Sequence, residues 1–229
     1  YLMRKPDFFH SVWISVLRVI IGSAVNMILI VLTAYPLSKS SVNFSKRNIY
    51  MVYFAITMFI GGGLIPTYMV IKQLGLLDSF WVLILPGAVN IWNVIIMMNF
   101  FRGLPHAIEE AASIDGASHW RILFQIFLPM SLPSLASLLL FSMIGHWNAW
   151  FDGMIYMNDP ARYPLQTYLQ TIVVQLNLKS ITNISQVTKI SEQNSKCAQI
   201  IIAMLPILAV YPFLQKYFTK GIVLGSVKG

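Results

Sequence analysis

The chain has 229 residues, of which 57% are apolar and only 10% are charged. A soluble domain is nearer half apolar and a quarter charged, so this composition, with a mean hydropathy of +0.68, excludes an ordinary soluble globule. The net charge of +8 would suggest nucleic-acid binding in a soluble protein, but here it indicates basic loops beside anionic lipid headgroups. The lone cysteine, Cys197, excludes an internal disulfide and a cysteine-based metal cluster.

Five apolar runs approach the length of about 20 residues that a helix needs to cross a bilayer. They lie at about 12–37, 49–71, 80–101, 132–151 and 198–218. Prolines and glycines stand in or at the ends of these runs, and membrane helices tolerate such breaks only where neighbours or a watery cavity satisfy the freed backbone groups. The sequence therefore predicts one transmembrane domain over 1–229, an all-α polytopic bundle with an irregular interior.

The distribution of basic residues predicts the orientation of the spans. Loop 38–48 and the C-terminal tail are the most basic connections, so both are expected to face the cytoplasm. Alternation then places 102–131 inside and the long segment 152–197 outside, where Leu165, Leu169, Ile172 and Val173 have the spacing of an amphipathic helix. An odd number of spans with an inside C-terminus would put Tyr1 outside without a signal peptide pattern. We therefore expect at least one further helix upstream of the five visible spans.

The segment 102–131 contains a concentrated group of acidic residues. Glu109 and Glu110 favour a helix N-terminus, alanines extend that helix, and Gly116 offers a left-handed end. Beyond it, Trp120, Leu123, Phe124 and Phe127 recur at helical spacing, which predicts an amphipathic helix along the membrane surface until Pro129. Small residues flanked by carboxylates suit docking in another protein's cleft, because alanine allows close approach and glutamate can pair with arginine. An ordinary helical hairpin is the alternative interpretation.

The same segment carries a recognisable motif. The run Glu110-Ala111-Ala112, three residues, Gly116, nine residues, Ile126-Phe127-Leu128-Pro129 resembles the EAA loop of permease subunits of ATP-binding cassette (ABC) importers, and Asp115 before the glycine also fits. More narrowly, the chain is similar to the carbohydrate permeases of the maltose-type subfamily. The stretches that support this likeness are Ala34-Tyr35-Pro36-Leu37-Ser38, Ile65-Pro66-Thr67-Tyr68, Trp147-Asn148, 158–166 and 220–229. The likeness covers nearly the whole chain.

The resemblance implies a type I ABC importer transmembrane domain in the bacterial cytoplasmic membrane, with six spans of which five are visible. Such a permease subunit moves a sugar or oligosaccharide together with a second permease subunit, a cytoplasmic ABC ATPase dimer and an extracytoplasmic solute-binding protein. The residues implied to couple to the ATPase are Glu109, Glu110, Ala111, Ala112, Asp115 and Gly116. The sequence lacks the phosphate-binding motif G-x-x-x-x-G-K-[ST], so we expect a non-catalytic subunit that binds no cofactor, with ATP and Mg on the partner ATPase.

Amides and aromatic side chains at membrane depth are candidates for the substrate pathway, because amides pair with sugar hydroxyls and rings stack on C–H faces. The candidates are Asn90, Asn93, Trp147 and Asn148, with Asn26 as a further intramembrane amide. The alternatives are that these asparagines join helices and that the tryptophans mark the membrane interface. Arg18 is expected to extend outward to the interface, and His146 to be a donor within the core.

Other chemistry has little support in the sequence. The four histidines are scattered, and no Cys/His spacing indicates a metal site. No G-x-S-x-G nucleophile motif occurs. Two rival functions stay open: an ABC permease subunit for a peptide, amino acid or polyamine, and a secondary carrier or membrane enzyme, which would need acids or a nucleophile within the spans.

Overall fold

The computed structural model describes residues 6–40 and 44–171, together with Ile201, Met204 and Leu208. All regular elements in this part of the chain are helical. The α-helices are α1 (Pro6–Ser38), α2 (Arg47–Phe59), α3 (Leu64–Gln73), α4 (Ile91–Arg102), α5 (His106–Ile114), α6 (His119–Ile122), α7 (Leu128–Met130), α8 (Leu132–Asn148) and α9 (Phe151–Tyr156). A π-helix covers Leu123–Phe127, 3-10 turns cover Phe80–Leu83, Leu85–Gly87 and Pro160–Arg162, and 165–171 is also helical.

Among the described residues, Phe8–Ser38 of α1 is the one helix that is long and apolar enough to cross a membrane by itself. Up to three further spans result if each of three bent helix pairs counts as one: α2 with α3, Phe80–Gly87 with α4, and His119–Met130 with α8. The predicted spans 49–71 and 80–101 are therefore not continuous helices. Consecutive glycines interrupt the first at 61–63, and Pro86 lies in the 3-10 turns that precede α4, because glycine and proline weaken helices. The predicted span 198–218 lies outside the described residues, apart from three positions.

The described residues divide into two compact units. The first comprises 6–23, 65–86 and 142–171, and the second comprises 24–64 and 87–141. Two buried apolar clusters form the core of the first unit: one contains Ile14, Ile71, Val82, Leu83, Tyr156 and Met157, and the other contains Phe8, Val19, Trp147, Leu165 and Leu169. The predicted amphipathic helix is present in part, since Leu165 and Leu169 are buried on the helix 165–171. Ile172 and Val173 lie outside the described residues.

A buried ion pair closes the break between α8 and α9 in the first unit. Arg18 is 2% exposed and pairs with Asp152, while its Nη1 donates a hydrogen bond of 3.2 Å to the Ala149 carbonyl. The prediction that Arg18 extends outward to the interface is wrong. The helix break supplies both a carboxylate and a free carbonyl, and a cation at membrane depth is retained where such partners exist.

The helix 165–171 is bound tightly to the same region. The Leu165 amide donates to Ser15 Oγ at 2.7 Å, and the buried hydroxyl of Thr167 donates to the Trp150 carbonyl at 2.8 Å. Gly153 lies directly beneath Thr167, where a Cβ atom would come within 2.3 Å of Thr167 Oγ1. Only a residue without a side chain fits at this contact.

Helices α1, α4, the π-helix and α8 surround the core of the second unit. Its buried members are Ile30, Val31, Ala34, Tyr35, Leu37, Val94, Met97, Met98, Phe101, Ile122, Leu123, Phe127 and Leu138. At one end of this core the rings of Tyr35, Phe101 and Phe127 form an edge-to-face trio, with centroids 5.2–6.2 Å apart. Such geometry is preferred by aromatic pairs. The trio lies beneath the segment that contains the acidic residues.

Candidate functional site

Helix α5 has the start and the end that its sequence predicts. Pro105 precedes it in an extended conformation, and Glu109 lies in its first turn. At the other end, the Gly116 amide donates to Ser113 O at 3.1 Å and the Ala117 amide donates to Ala112 O at 2.9 Å, while Gly116 has φ +76°. These two bonds with a left-handed residue form a Schellman motif. The predicted left-handed end at Gly116 is confirmed.

The outward face of α5 is small, apolar and singly charged. Ala107, Glu110, Ala111 and Ile114 are all exposed and follow the spacing i, i+3, i+4, i+7, so they form one stripe along the helix. Ile114 is 86% exposed, which is unusual for an isoleucine unless a partner or lipid covers it. We call these four residues the α5 stripe. Asp115 and Gly116 are exposed beyond its end.

The two adjacent glutamates point in different directions. Glu110 belongs to the exposed stripe, whereas the Glu109 carboxylate accepts a hydrogen bond of 2.5 Å from Lys39 Nζ. Ala111 and Ala112 divide in the same way, since Ala112 packs against the core of the second unit together with Ala117. Of the six coupling residues proposed from the sequence, Glu109 and Ala112 thus face their own chain. Ala107 and Ile114 were missed, although their helical spacing to Glu110 and Ala111 could have identified them.

Lys39 lies in a sheltered, aromatic environment just beyond the end of α1. The side chains of Lys39 and Glu109 are 9% and 16% exposed, and Lys39 Nζ is 4.0 Å from the ring centroid of Tyr35 and 4.2 Å from that of Phe127. Burial lowers the pKa of Lys39 below its ordinary value, and the hydrogen bond to Glu109 acts in the opposite direction. The rings stabilise the ammonium group through cation–π contacts. No local sequence pattern identifies Lys39, because Glu109 is 70 residues away.

Other side chains bind the same end of α1, which we call the α1 end (35–39). Arg102 at the end of α4 donates to Leu37 O at 3.0 Å, and Arg47 at the start of α2 donates to Lys39 O at 2.8 Å. The Tyr35 hydroxyl donates to the His119 carbonyl at the start of α6, at 3.2 Å. The two arginine bonds satisfy carbonyls that a helix C-terminus leaves free. The α1 end therefore joins α2, α4, α5 and α6.

The predicted amphipathic helix after α5 is present but does not bury one regular face. Ser118 begins it by accepting a bond of 3.3 Å from the Arg121 amide. Leu123 and Phe127 are buried, whereas Trp120 and Phe124 are exposed and their rings stack with centroids 6.0 Å apart. The π-helix changes the period from that of an α-helix, so the four residues do not share a face.

The four candidate pathway residues fall into two pairs in different units. In the second unit, Asn90 caps α4 by accepting a bond of 3.1 Å from the amide of Asn93, whose side chain is buried. In the first unit, Trp147 packs in an apolar cluster and Asn148 is exposed at the end of α8. The packing of Trp147 favours a role in the core.

Asn26 joins two elements of the second unit. Its amide donates to the carbonyls of Gly87 and Ala88 at 3.1 and 2.7 Å, which favours the alternative in which intramembrane asparagines link helices. Over the described ranges, no group of three or more His, Cys, Asp or Glu side chains could hold a metal ion.

The sequence matches a known protein family over nearly its whole length. Residues 4–223 match the family described as binding-protein-dependent transport system inner membrane component. The chain belongs to this family. As an inner membrane component it is a membrane protein with the type I ABC importer permease fold, so the fold and the family predicted from the EAA motif are confirmed.

Two relatives from Bacillus subtilis are similar over the whole chain. Protein LplC is 44% identical and is covered over 77% of its length, and the polygalacturonan/rhamnogalacturonan transport system permease protein YtcP is 42% identical and covered over 80%. Among solved structures, a bacterial ABC transporter involved in the import of the acidic polysaccharide alginate matches with a TM-score of 0.83 and 30% identity. That match covers 95% of this chain and 77% of the other. The family of inner membrane components thus includes carbohydrate transporters close to this chain in sequence and fold.

Proposed function

We propose that this chain is a permease subunit of a bacterial importer that moves an oligosaccharide across the cytoplasmic membrane, using ATP hydrolysed by a partner. The similarity to YtcP and to the alginate importer supports a carbohydrate substrate, with fragments of acidic polysaccharides as the first candidates. A non-carbohydrate solute is the alternative. The chain itself is a non-catalytic, multi-pass subunit and binds no cofactor, and ATP and Mg bind to the ATPase.

The proposal that the chain docks on an ATPase is based on the α5 stripe. Helix α5 is short, ends in a defined turn, and exposes two alanines, an isoleucine and one carboxylate. Such a helix can pack closely in a groove of a partner protein. Glu110 supplies the charge that an arginine of the ATPase could pair with, and Ala107, Ala111 and Ile114 supply the close apolar contact. Gly116 and Asp115 complete the turn that fixes the end of α5. Rigid-body movement of α5 would then follow nucleotide-driven closure of the ATPase.

Further partners follow from the family. A second permease subunit would complete the pathway, and an extracytoplasmic solute-binding protein would deliver the sugar, as the family description implies for its members. Asn90, Asn93, Trp147 and Asn148 stay candidates for the pathway. Of these, Asn148 is the strongest, since it is exposed at the end of α8, whereas Asn93 and Trp147 are buried.

Docking can be tested by purifying the full-length protein from its native membranes in mild detergent and identifying co-purified chains by mass spectrometry. An ABC ATPase and a second permease subunit should co-purify with the wild type, whereas the ATPase should not co-purify with Glu110→Lys. Asp159→Lys makes the same change of charge on an exposed acid of the first unit and should retain it. Retention of the ATPase by Glu110→Lys would contradict docking through the stripe.

The substrate class can be tested by uptake in cells with and without the gene. We expect the deletion to reduce uptake of galacturonan or rhamnogalacturonan oligosaccharides, measured beside maltodextrin, peptides and polyamines. Reduced uptake of peptides or polyamines alone would favour the alternative function. The extracytoplasmic segment gives a second check. Deletion of 172–195, which spares the core residues Leu165 and Leu169, should abolish stimulation of ATP hydrolysis by the binding protein and leave basal hydrolysis intact.

A further inference from the structure

Helix α5 is attached to its own chain by few contacts. None of its residues is buried, and Ala112 is the α5 residue that packs, partly buried, against the core. Of the ion pairs in the described part of the chain, Lys39–Glu109 is the one that includes α5. The ion pair is therefore a polar contact through which a movement of α5 can reach the end of α1.

The surroundings of Lys39 oppose independent movement of the two charged groups. Lys39 Nζ lies 4.0 Å from the ring centroid of Tyr35 and 4.2 Å from that of Phe127, so the ammonium group would lose both contacts if it followed Glu109 without its own backbone. The Lys39 carbonyl is in turn held by Arg47 at 2.8 Å. A charge in such a site cannot be left unpaired without a large penalty, so the two groups tend to move together.

The α1 end extends this connection to other elements. Lys39 directly follows α1, a single helix of 33 residues, and Arg102 and Tyr35 tie the same end to α4 and α6. A displacement delivered at Lys39 therefore reaches the end of a long rigid helix and the helices beside it. An exposed contact between α5 and a loop would not achieve this.

We propose that the Lys39–Glu109 pair is a positioning contact that transmits movement of α5 to α1, and that Glu109 serves this internal contact instead of binding the ATPase. The inference rests on the proposed docking of the α5 stripe. It assigns separate tasks to adjacent glutamates: Glu110 holds the ATPase, and Glu109 passes its movement on. Lys39 is then part of the coupling machinery, although it lies outside the EAA motif.

The experiment uses the purified importer complex in proteoliposomes, with a spin label at Leu32→Cys in a Cys197→Ser background. Leu32 is 40% exposed on α1, one to two turns before Lys39. The readouts are the amount of ATPase bound per permease and the change in label mobility when ATP and vanadate are added. In the otherwise unchanged complex, nucleotide trapping should alter the mobility. If it does not, α1 does not follow the ATPase and the proposal is overturned.

Lys39→Met and Glu109→Gln should both retain the ATPase, but nucleotide trapping should no longer alter the mobility of the label. Lys39→Arg keeps the charge and can stack on the rings, so it should restore the change. Lys46→Met removes a nearby exposed lysine and should behave like the parent complex. A full mobility change in Lys39→Met, or loss of the ATPase in Glu109→Gln, would overturn the proposal.

If a single variant of the permease does not assemble with the ATPase, the double variant Lys39→Met/Glu109→Gln replaces it, because the double variant leaves neither charge unpaired. It should assemble and still lack the nucleotide-induced change, and a full change there would overturn the proposal. Glu110→Lys separates the two hypotheses. If it keeps the ATPase, the docking face is wrong, while the Lys39–Glu109 pair is still judged by the mobility change in its own variants.

Discussion

Replacement of Gly116 by alanine should loosen the C-terminal turn of α5 without any steric clash. The backbone at Gly116 has φ +76°, and a Cβ atom placed there would meet no atom within 4 Å. The free-energy cost of the substitution therefore comes from the left-handed backbone alone, and is about 1–2 kcal/mol for an L-residue. Since about 1.4 kcal/mol corresponds to a factor of ten, the open form of the turn should become about 5 to 30 times more populated.

Hydrogen exchange measured by mass spectrometry can detect this change. The amides of Asp115, Gly116 and Ala117 close the turn by bonding to carbonyls of α5, so their exchange reports local opening. In Gly116→Ala these amides should exchange about 5 to 30 times faster. Gly116→Asn should show a smaller increase, because asparagine tolerates the left-handed conformation better than alanine.

Gly103→Ala is the matched control. Gly103 also ends a helix, but its φ is −76°, and the nearest atom to an added Cβ is Phe100 O at an ordinary 3.4 Å. Alanine should therefore leave exchange in the turn unchanged. Equal exchange in Gly116→Ala and Gly103→Ala, or equal acceleration by alanine and asparagine at 116, would refute the argument from backbone strain.

Three further changes test buried contacts. Arg18→Met leaves the Asp152 carboxylate without its cation and should lower stability by about 3 kcal/mol, measured by thermal denaturation in detergent. Adding Asp152→Asn to the same chain should recover part of the lost stability, and no recovery would contradict the pairing. Asn26→Leu should lower stability by about 0.6–1.7 kcal/mol and leave the sugar concentration for half-maximal uptake unchanged; a raised concentration would instead place Asn26 in the pathway. Trp147→Ala should lower stability by about 3–5 kcal/mol, and an unchanged melting temperature with weaker uptake would show that Trp147 contacts substrate.

The α5 region could be predicted from sequence because its determinants are local. A proline at the start, acidic residues in the first turns and a glycine after the last turn are read within a dozen residues, and the structure has that helix and that left-handed end. The division of labour between Glu109 and Glu110 could not be predicted. It depends on Lys39, whose position beside α5 is set by packing of the aromatic trio.

Long-range partners also explain the errors. Arg18 was expected at the interface because α1 alone offers it no partner, and Asp152 is 134 residues away. The helix after α5 was expected to present Trp120, Leu123, Phe124 and Phe127 as one apolar face along the membrane surface, but a π-helical turn alters the spacing on which that expectation depended. The apolar runs marked membrane segments by composition, and the glycines at 61–63 and Pro86 already indicated that two of these segments are broken.

The contact between Gly153 and Thr167 limits the order in which these positions can change during evolution. Alanine at 153 would collide with the Thr167 hydroxyl, and loss of that hydroxyl would remove a donor to the Trp150 carbonyl, which would keep its bond of 3.2 Å from the Met154 amide. Either single step therefore lowers the stability of this contact before the other can compensate. Among descendants of this sequence, we expect the two sites to be retained together or replaced together, with single replacements rare.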